Sequence, residues 1–261
     1  MSVQTLDRAF DILELLSKQP NGLSLTDVAA SLDLNKSTVH RILASLKTRG
    51  YVEQRAGSKT YRLGLEFIEI SSLYLNSLEL KIEAQDSLHK LSRQTDQTVF
   101  MAIMQDRDVV YIDKIETHQS LRRYKIIGQR RPLYCTSLGK ALLSGLSERE
   151  IVRLFENHEF TRLTDSTIGD LQTLLKEIEL TKKRGWAHDN QENEDGTMCV
   201  GAPVFDYRDM VVAAVSVAWE TAANPNLDPK QVAGMVMQAA QEISRRMGYR
   251  WNPVTPNPAT A

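Results

Sequence analysis

Cysteine is scarce. Cys135 and Cys199 are the only two in 261 residues, too few for a disulfide framework and without the paired spacing of a structural zinc site. Any role for either thiol is therefore local. Long apolar runs are also missing. No segment approaches the roughly 20 apolar residues that span a bilayer, and the opening MSVQTLDRAFDILELL lacks the basic start and unbroken apolar stretch of a secretory signal. A cytoplasmic protein with no membrane partner is expected. The usual signatures of catalysis are absent too: no Gly-rich phosphate loop, HExxH pair or GxSxG elbow occurs, and the five histidines, at 40, 89, 118, 158 and 188, are scattered. His188, Asp189 and Cys199 leave open a nucleophile or zinc site, but their spacing is not specific, so no enzyme, metal or cofactor is expected. What remains is 42% hydrophobic and 25% charged residues, enough to bury the cores of two compact domains.

Net charge is only −1, yet it is unevenly spread. Residues 1–64 carry nine Lys/Arg against six Asp/Glu, a balance of +3 that leaves −4 on the remainder. Between positions 36 and 62 stand Lys36, Arg41, Lys47, Arg49, Arg55, Lys59 and Arg62, with Glu53 as the only acid. Such a footprint suits phosphate neutralisation, and a merely solvated basic face is the alternative.

Helical periodicity opens the chain. Val3, Leu6, Phe10, Ile12, Leu13 and Leu16 mark an amphipathic helix over 3–18, ended by Pro20, Asn21 and Gly22. Ser24 with Asp27 predicts a capping box for a helix whose stripe is Leu25, Val28, Ala29 and Leu32. Asn35 then caps a third helix with Val39, Ile42, Leu43 and Leu46 inward, and Gly50 beyond its end. Two helices joined by so short a turn form a helix-turn-helix. YVEQRAGSKTYRLG follows as two strands around Gly57, a wing. Residues 65–80 read as a linker helix, and a further helix from 81 to 95 opens the larger domain.

Downstream, 98–105 and 109–116 are β-rich runs around a polar turn at 106–108, and 122–128 is read as extending the same antiparallel sheet. Helices are predicted at 137–146, 147–158 and 170–184, the last closed by Lys182, Lys183, Arg184 and Gly185. Strands return at 198–205 and 211–219, a final helix covers 229–247, and 252–261, with three prolines, is read as a loose tail. The expected division is 1–64, 65–80, 81–250 and 251–261.

In a helix-turn-helix the start of the second helix faces base edges and phosphates. Lys36, Ser37, Thr38, His40, Arg41 and Ser45 are therefore the candidates for DNA contact, with Arg55 and Lys59 on the wing tracking the backbone. A protein-docking winged helix is the bland alternative, and salt dependence separates the two.

LSLTDVAASLDLNKSTVHRILASLKTRGYVEQ followed by YRLG resembles the DNA-binding domain of the isocitrate lyase regulator (IclR) family. GQRRPLYCTSLGKALL and GWAHDNQENEDGTMCVGAPVFD resemble the ligand-domain signature of the same family, and the likeness runs from Val3 to Tyr249. PLYCT, DNQENEDG and APVFD are most similar to its sugar-acid branch, which includes 2-keto-3-deoxygluconate repressors. The resemblance implies an α+β chain: a winged helix-turn-helix, a linker helix, and a profilin- or GAF-like effector domain built on a curved antiparallel sheet. It further implies a homodimer or homotetramer on double-stranded, palindromic operator DNA, regulated by a small carboxylate. Carried over by motif, the effector contacts are Ser137 and Leu138 at a helix start and, in the C-terminal half, Asp189, Cys199 and Ser216. Some relatives have a second serine two positions after Ser216; this chain has Ala218, which argues against glyoxylate or pyruvate itself. From the residues alone, Ser216 also reads as a satisfied core hydroxyl, Cys199 as a small buried hydrophobe, and Asp189 as one acid of a solvated loop.

Overall fold

The computed structural model describes residues 3–54, 57–76, 79–116 and 127–250. The chain divides into two compact units, 1–77 and 78–261.

In the first unit, α1 (Gln4–Ser17) is followed by β1 (Leu23–Ser24), α2 (Leu25–Ser31), α3 (Lys36–Thr48), β2 (Val52–Gln54), β3 (Thr60–Leu63) and α4 (Glu66–Asn76). The Ser24–Asp27 capping box forms as the spacing predicts. Asn35 occupies the N-cap of α3 without a side-chain bond. Beyond the α3 C-cap, Gly50 takes φ +77°, and the carbonyl of Leu46 accepts the Tyr51 N–H at 3.0 Å. That is the left-handed exit a glycine allows. The wing gains a strand that sequence did not indicate: Leu23 and Ser24 pair with Tyr61 and Thr60, giving the order β1-β3-β2. Ile12, Leu16, Val28, Ala29, Val39, Ile42, Leu43 and Val52 close one small core. The apolar stripe of α1 splits. Ile12 and Leu16 are buried, but Val3, Leu6 and Phe10 are 60%, 54% and 58% exposed.

The second unit begins with α5 (Glu79–Thr95) and holds a six-stranded antiparallel sheet. Its strands are β4 (Thr98–Gln105), β5 (Asp108–Ile115), β6 (Arg130–Pro132), β7 (Ala187–Asn190), β8 (Thr197–Phe205) and β9 (Val211–Glu220), in the order β6-β5-β4-β9-β8-β7. Register shifts at Met101/Ala102 and Val204/Phe205 mark irregularities of the kind that bend a sheet, and the sheet curls into a half-barrel. One face takes α6 (Ser137–Leu143). Behind α6 lie α7 (Glu148–Leu154) and α8 (Leu171–Arg184), while α5 and α9 (Pro229–Arg246) pack together and against the strands. The α8 helix ends at 184 because Gly185 turns left-handed at φ +80° and donates its N–H to Thr181 O.

Two expectations shift. The outer strand of the β5 hairpin is Arg130–Pro132, whereas the predicted stretch at 122–128 falls mostly outside the described residues. Residues 187–190, few and mostly polar, pair as the edge strand β7 instead of lying in an acidic loop. The predicted tail at 252–261 and wing residue Arg55 are likewise outside the described residues.

Candidate nucleic-acid interface and effector site

On α3 the inward residues Val39, Ile42 and Leu43 are buried, which turns the remaining faces outward. Lys36, Ser37, His40, Arg41 and Ser45 are exposed, and Thr38 is half-buried in the first turn. Lys59 stands exposed on the wing. Two bases counted in the sequence footprint are engaged within the unit. Arg62 pairs with Glu53 across β2–β3, and Lys47 Nζ donates to Gln54 Oε1 at 3.2 Å. Among the described residues no ion pair occupies Lys36, Arg41 or Lys59, so these cations remain available to phosphate or a base edge.

In the second unit, strand register gathers the other candidates. Asp189 pairs with Cys199, and Gly201 pairs with Ser216. Direct partners and alternate residues share a face, so Asp189, Cys199 and Ser216 project from the same side of the sheet. All three are buried. The start of α6 meets this side at Gly201, where a Cβ would stand 2.8 Å from Ser137 O and 3.2 Å from the Leu138 N. Glycine is what lets helix and strand approach so closely. Thr136 caps α6: its Oγ1 accepts the Gly139 N–H at 3.0 Å and its carbonyl accepts the Lys140 N–H at 2.9 Å. First-turn amides have no carbonyl partner within their own helix, and those of Ser137 and Leu138 precede the two that Thr136 takes.

Asp189 is tied into its chain turn as well as its strand. Its Oδ1 accepts the N–H of Glu192 at 2.8 Å and of Asn193 at 3.4 Å. Thr164 Oγ1 donates to Gln191 O and Thr167 Oγ1 to Glu192 O, both at 2.6 Å, fixing the same turn from the side. Beneath α6, fully buried Lys140 donates to Glu192 Oε1 at 2.6 Å. Burial raises the Glu192 carboxyl above its ordinary range, with Lys140 opposing.

Sequence reasoning missed three contributors. Tyr111 packs edge-on against Phe100; its hydroxyl is pushed up chiefly by burial, with Cys199, Asp189 and Cys135 adding to the rise and Arg131 opposing it. Cys135 is buried, and its thiol is pushed up to about 12, first by burial and then by Asp189 and Glu192. Lys140 reads as an exposed helix cation yet is fully buried. No local pattern marks Tyr111, because only β5 pairing brings it here; PLYCT and GKALL place the other two beside the α6 start. Among the described residues, no group of three or more His, Cys, Asp and Glu side chains is placed to hold a metal ion, and no helix is long and apolar enough to cross a membrane.

A winged helix-turn-helix with free cations on its second helix, carried by a chain whose other unit buries a polar cluster, defines a DNA-binding regulator. Residues 5–56 match the IclR helix-turn-helix domain and residues 72–245 match the bacterial transcriptional regulator IclR C-terminal domain. The chain belongs to the IclR family of transcriptional regulators. It is 34% identical over 247 residues to the HTH-type transcriptional regulator XynR of Escherichia coli K12, covering 95% of this chain and 98% of that one. Identity to KdgR of the same organism is also 34%, over 248 residues, with 95% and 94% covered. Among solved structures, the Thermotoga maritima IclR superposes with a TM-score of 0.79 at 32% identity, covering 94% of this chain and 99% of that one. The C-terminal domain of E. coli KdgR gives 0.59 at 31%, covering 66% and 100%.

Proposed function

We propose that this protein is a homodimeric or tetrameric repressor of a catabolic operon whose hold on DNA is set by a small polyhydroxylated carboxylate, a sugar acid such as 2-keto-3-deoxygluconate. In this reading residues 1–64 read the operator, 65–80 transmit, and 81–250 sense. Lys36, Ser37, Thr38, His40, Arg41 and Ser45 face the groove, with Arg55 and Lys59 on the flanking backbone. The exposed Val3, Leu6 and Phe10 stripe supports self-association through α1, because apolar residues at helical spacing are what a second copy would cover.

One observation carries the choice of effector: Asp189, Cys199 and Ser216 share one buried face with the α6 start. The Ser137 and Leu138 amides suit a carboxylate. A buried acid opposite an acidic ligand is favourable where it accepts hydrogen bonds from ligand hydroxyls, or where it holds a proton or a metal; a sugar acid fits the first of these, and pyruvate, with no hydroxyl, does not. Thermal unfolding against 2-keto-3-deoxygluconate, pyruvate, glyoxylate and aromatic acids tests this. At a hundredfold excess over the dissociation constant a ligand adds about 2.7 kcal/mol, or about 5–10 °C. A shift with a sugar acid that is lost in Ser216→Ala is the expected result. A shift with an aromatic or unhydroxylated acid alone overturns the sugar-acid assignment, and a sugar-acid shift unaltered in both Ser216→Ala and Asp189→Ala removes these residues from the site.

A further inference from the structure

Tyr111 on β5 faces the same side of the sheet as Asp189, Cys199 and Ser216. It pairs with Ala102 on β4, Ala102 pairs with Ala214 on β9, and Ser216 stands two residues along from Ala214. Strand order puts β8 and β7 three and four places from β5, so in a flat sheet β8 would lie about 14 Å away. The curl of the sheet narrows that gap. Ala102 and Ala214 are fully buried and small, which leaves room for the phenol ring to reach toward β8, packed edge-on against Phe100 with centroids 5.3 Å apart. After burial itself, Cys199, Asp189 and Cys135 oppose ionisation of its hydroxyl, and Arg131 works the other way.

That hydroxyl is unmatched. The phenol of Tyr134 donates to Thr161 O at 2.8 Å, whereas Tyr111 forms no side-chain hydrogen bond among the described residues. It is not sealed off either. The described residues hold seven side-chain polar atoms that lack both a partner and access to solvent, His188 Nε2 and Glu192 Oε2 among them, and the Tyr111 oxygen is not one of the seven. The residue as a whole is 4% exposed, so an open polar tip ends an otherwise packed ring. Buried tyrosine hydroxyls ordinarily have a partner, and here the chain supplies none. Burial above all keeps this phenol protonated, which leaves it a hydrogen to donate.

We infer that Tyr111 is a specificity-determining contact of the effector, its hydroxyl donating to an oxygen of the bound acid that carries no hydrogen, the keto or the carboxylate oxygen. This rests on reading the face of Asp189, Cys199 and Ser216 as the effector site. An oxygen without hydrogen cannot pair with an ionised Asp189, since both only accept. Tyr111 is a donor on the β5 side of the same face, with Asp189 at the far edge on β7. The two sides thereby orient the ligand, its hydroxyls toward β7 and its keto or carboxylate oxygen toward β5.

The test is calorimetric titration of the full-length protein and of Tyr111→Phe, which keeps the ring against Phe100 and removes only the oxygen. The probes are 2-keto-3-deoxygluconate, gluconate, pyruvate and glyoxylate, with the melting curve of each protein as the control for folding. For every keto acid that binds the parent, Tyr111→Phe is expected to bind about 3–10-fold more weakly, while melting no lower than the parent without ligand. Gluconate keeps the carboxylate but has a hydroxyl at the keto carbon. An equal loss with gluconate therefore assigns the carboxylate oxygen, and a loss confined to keto acids assigns the keto oxygen. Unchanged affinity in Tyr111→Phe, with binding still weakened by Ser216→Ala, overturns the role of Tyr111 and leaves the effector face standing. A Tyr111-dependent loss with pyruvate, in a protein that binds neither sugar acid, keeps Tyr111 and overturns the sugar-acid assignment alone. Binding of none of the four acids to the parent overturns both. If Tyr111→Phe fails to fold, a crystal of the parent with a bound acid decides. Its Tyr111 oxygen is expected within hydrogen-bond distance of a keto or carboxylate oxygen, and a hydroxyl bonded only to water or protein overturns the contact.

Discussion

Lys140 Nζ stands 2.6 Å from Glu192 Oε1, an ion pair that bolts the first turn of α6 to the turn following β7. The lysine is fully buried and the glutamate nearly so. Glu192 Oε2 has no partner among the described residues, so Lys140 is its principal compensation. Removing one member of a buried pair costs about 3–5 kcal/mol, because the other is left charged and unpaired. Lys140→Met is therefore expected to lower the melting temperature by roughly 10 °C, while Lys140→Met with Glu192→Leu recovers most of the deficit. A double variant as unstable as the single one would show that the pair itself, and not the orphaned carboxylate, sets the cost.

That pair also marks the limit of what the sequence discloses. Local signals carried through: Ser24 and Asp27 form their capping box, Gly50 and Gly185 adopt left-handed exits, and the α3 stripe of Val39, Ile42 and Leu43 is buried. Each depends on residues a few positions apart. Lys140 does not, since a lysine in a helix reads as surface until a glutamate 52 positions later is brought beneath it. β7 was hidden for a similar reason: its sequence, AHDN, has no apolar alternation, and it is a strand only because β8 offers an edge. The α1 stripe shows the converse. Periodicity revealed the amphipathic helix but could not say that Val3, Leu6 and Phe10 lie beyond the reach of their own core.

His188 lies beside this pair and gives stability an acid limit. Burial, then Lys140 and Arg184, lower its pKa from 6.5 to about 4, and its Nε2 has no partner among the described residues. The unfolded chain takes up a proton near pH 6.5 while the folded protein resists until about pH 4. Its contribution is thus fully present above pH 6.5 and fades progressively as the pH falls through that window. His188→Phe, whose ring can keep the packing against Trp186, is expected to show a smaller drop in melting temperature between pH 7 and pH 5 than the parent. Equal drops in the two proteins would assign the acid sensitivity to other groups.

Leu6 and Phe10 lie one helical turn apart and are both more than half exposed. If a second copy covers them, Leu6→Glu with Phe10→Glu places charges in that interface, where an unpaired charge is strongly disfavoured. Sedimentation should then show a shift toward smaller species, with little change in the helical signal. DNA containing both halves of a palindrome should bind more than tenfold more weakly, because the two heads no longer bind as one unit. An unchanged sedimentation profile would move self-association away from α1.

Arg41 provides the sharpest test of DNA reading because its side chain supports nothing else among the described residues. It is exposed on α3 and has no ion pair there. Arg62, by contrast, is committed to Glu53, so changing it would disturb the wing and DNA binding together. Arg41→Ala should leave the melting temperature within about 1 °C of the parent, since surface changes away from structural features are nearly neutral. On a DNA fragment selected by the parent protein, affinity should fall. If Arg41 meets a phosphate, the slope of log affinity against log salt should drop by about one, and binding should weaken to a similar degree on all sequences. If it reads a guanine instead, the salt slope should change less and discrimination at one base pair should relax by about 1–3 kcal/mol. Unchanged affinity across the salt range would exclude Arg41 from the interface and shift the reading surface toward Lys36 and the wing.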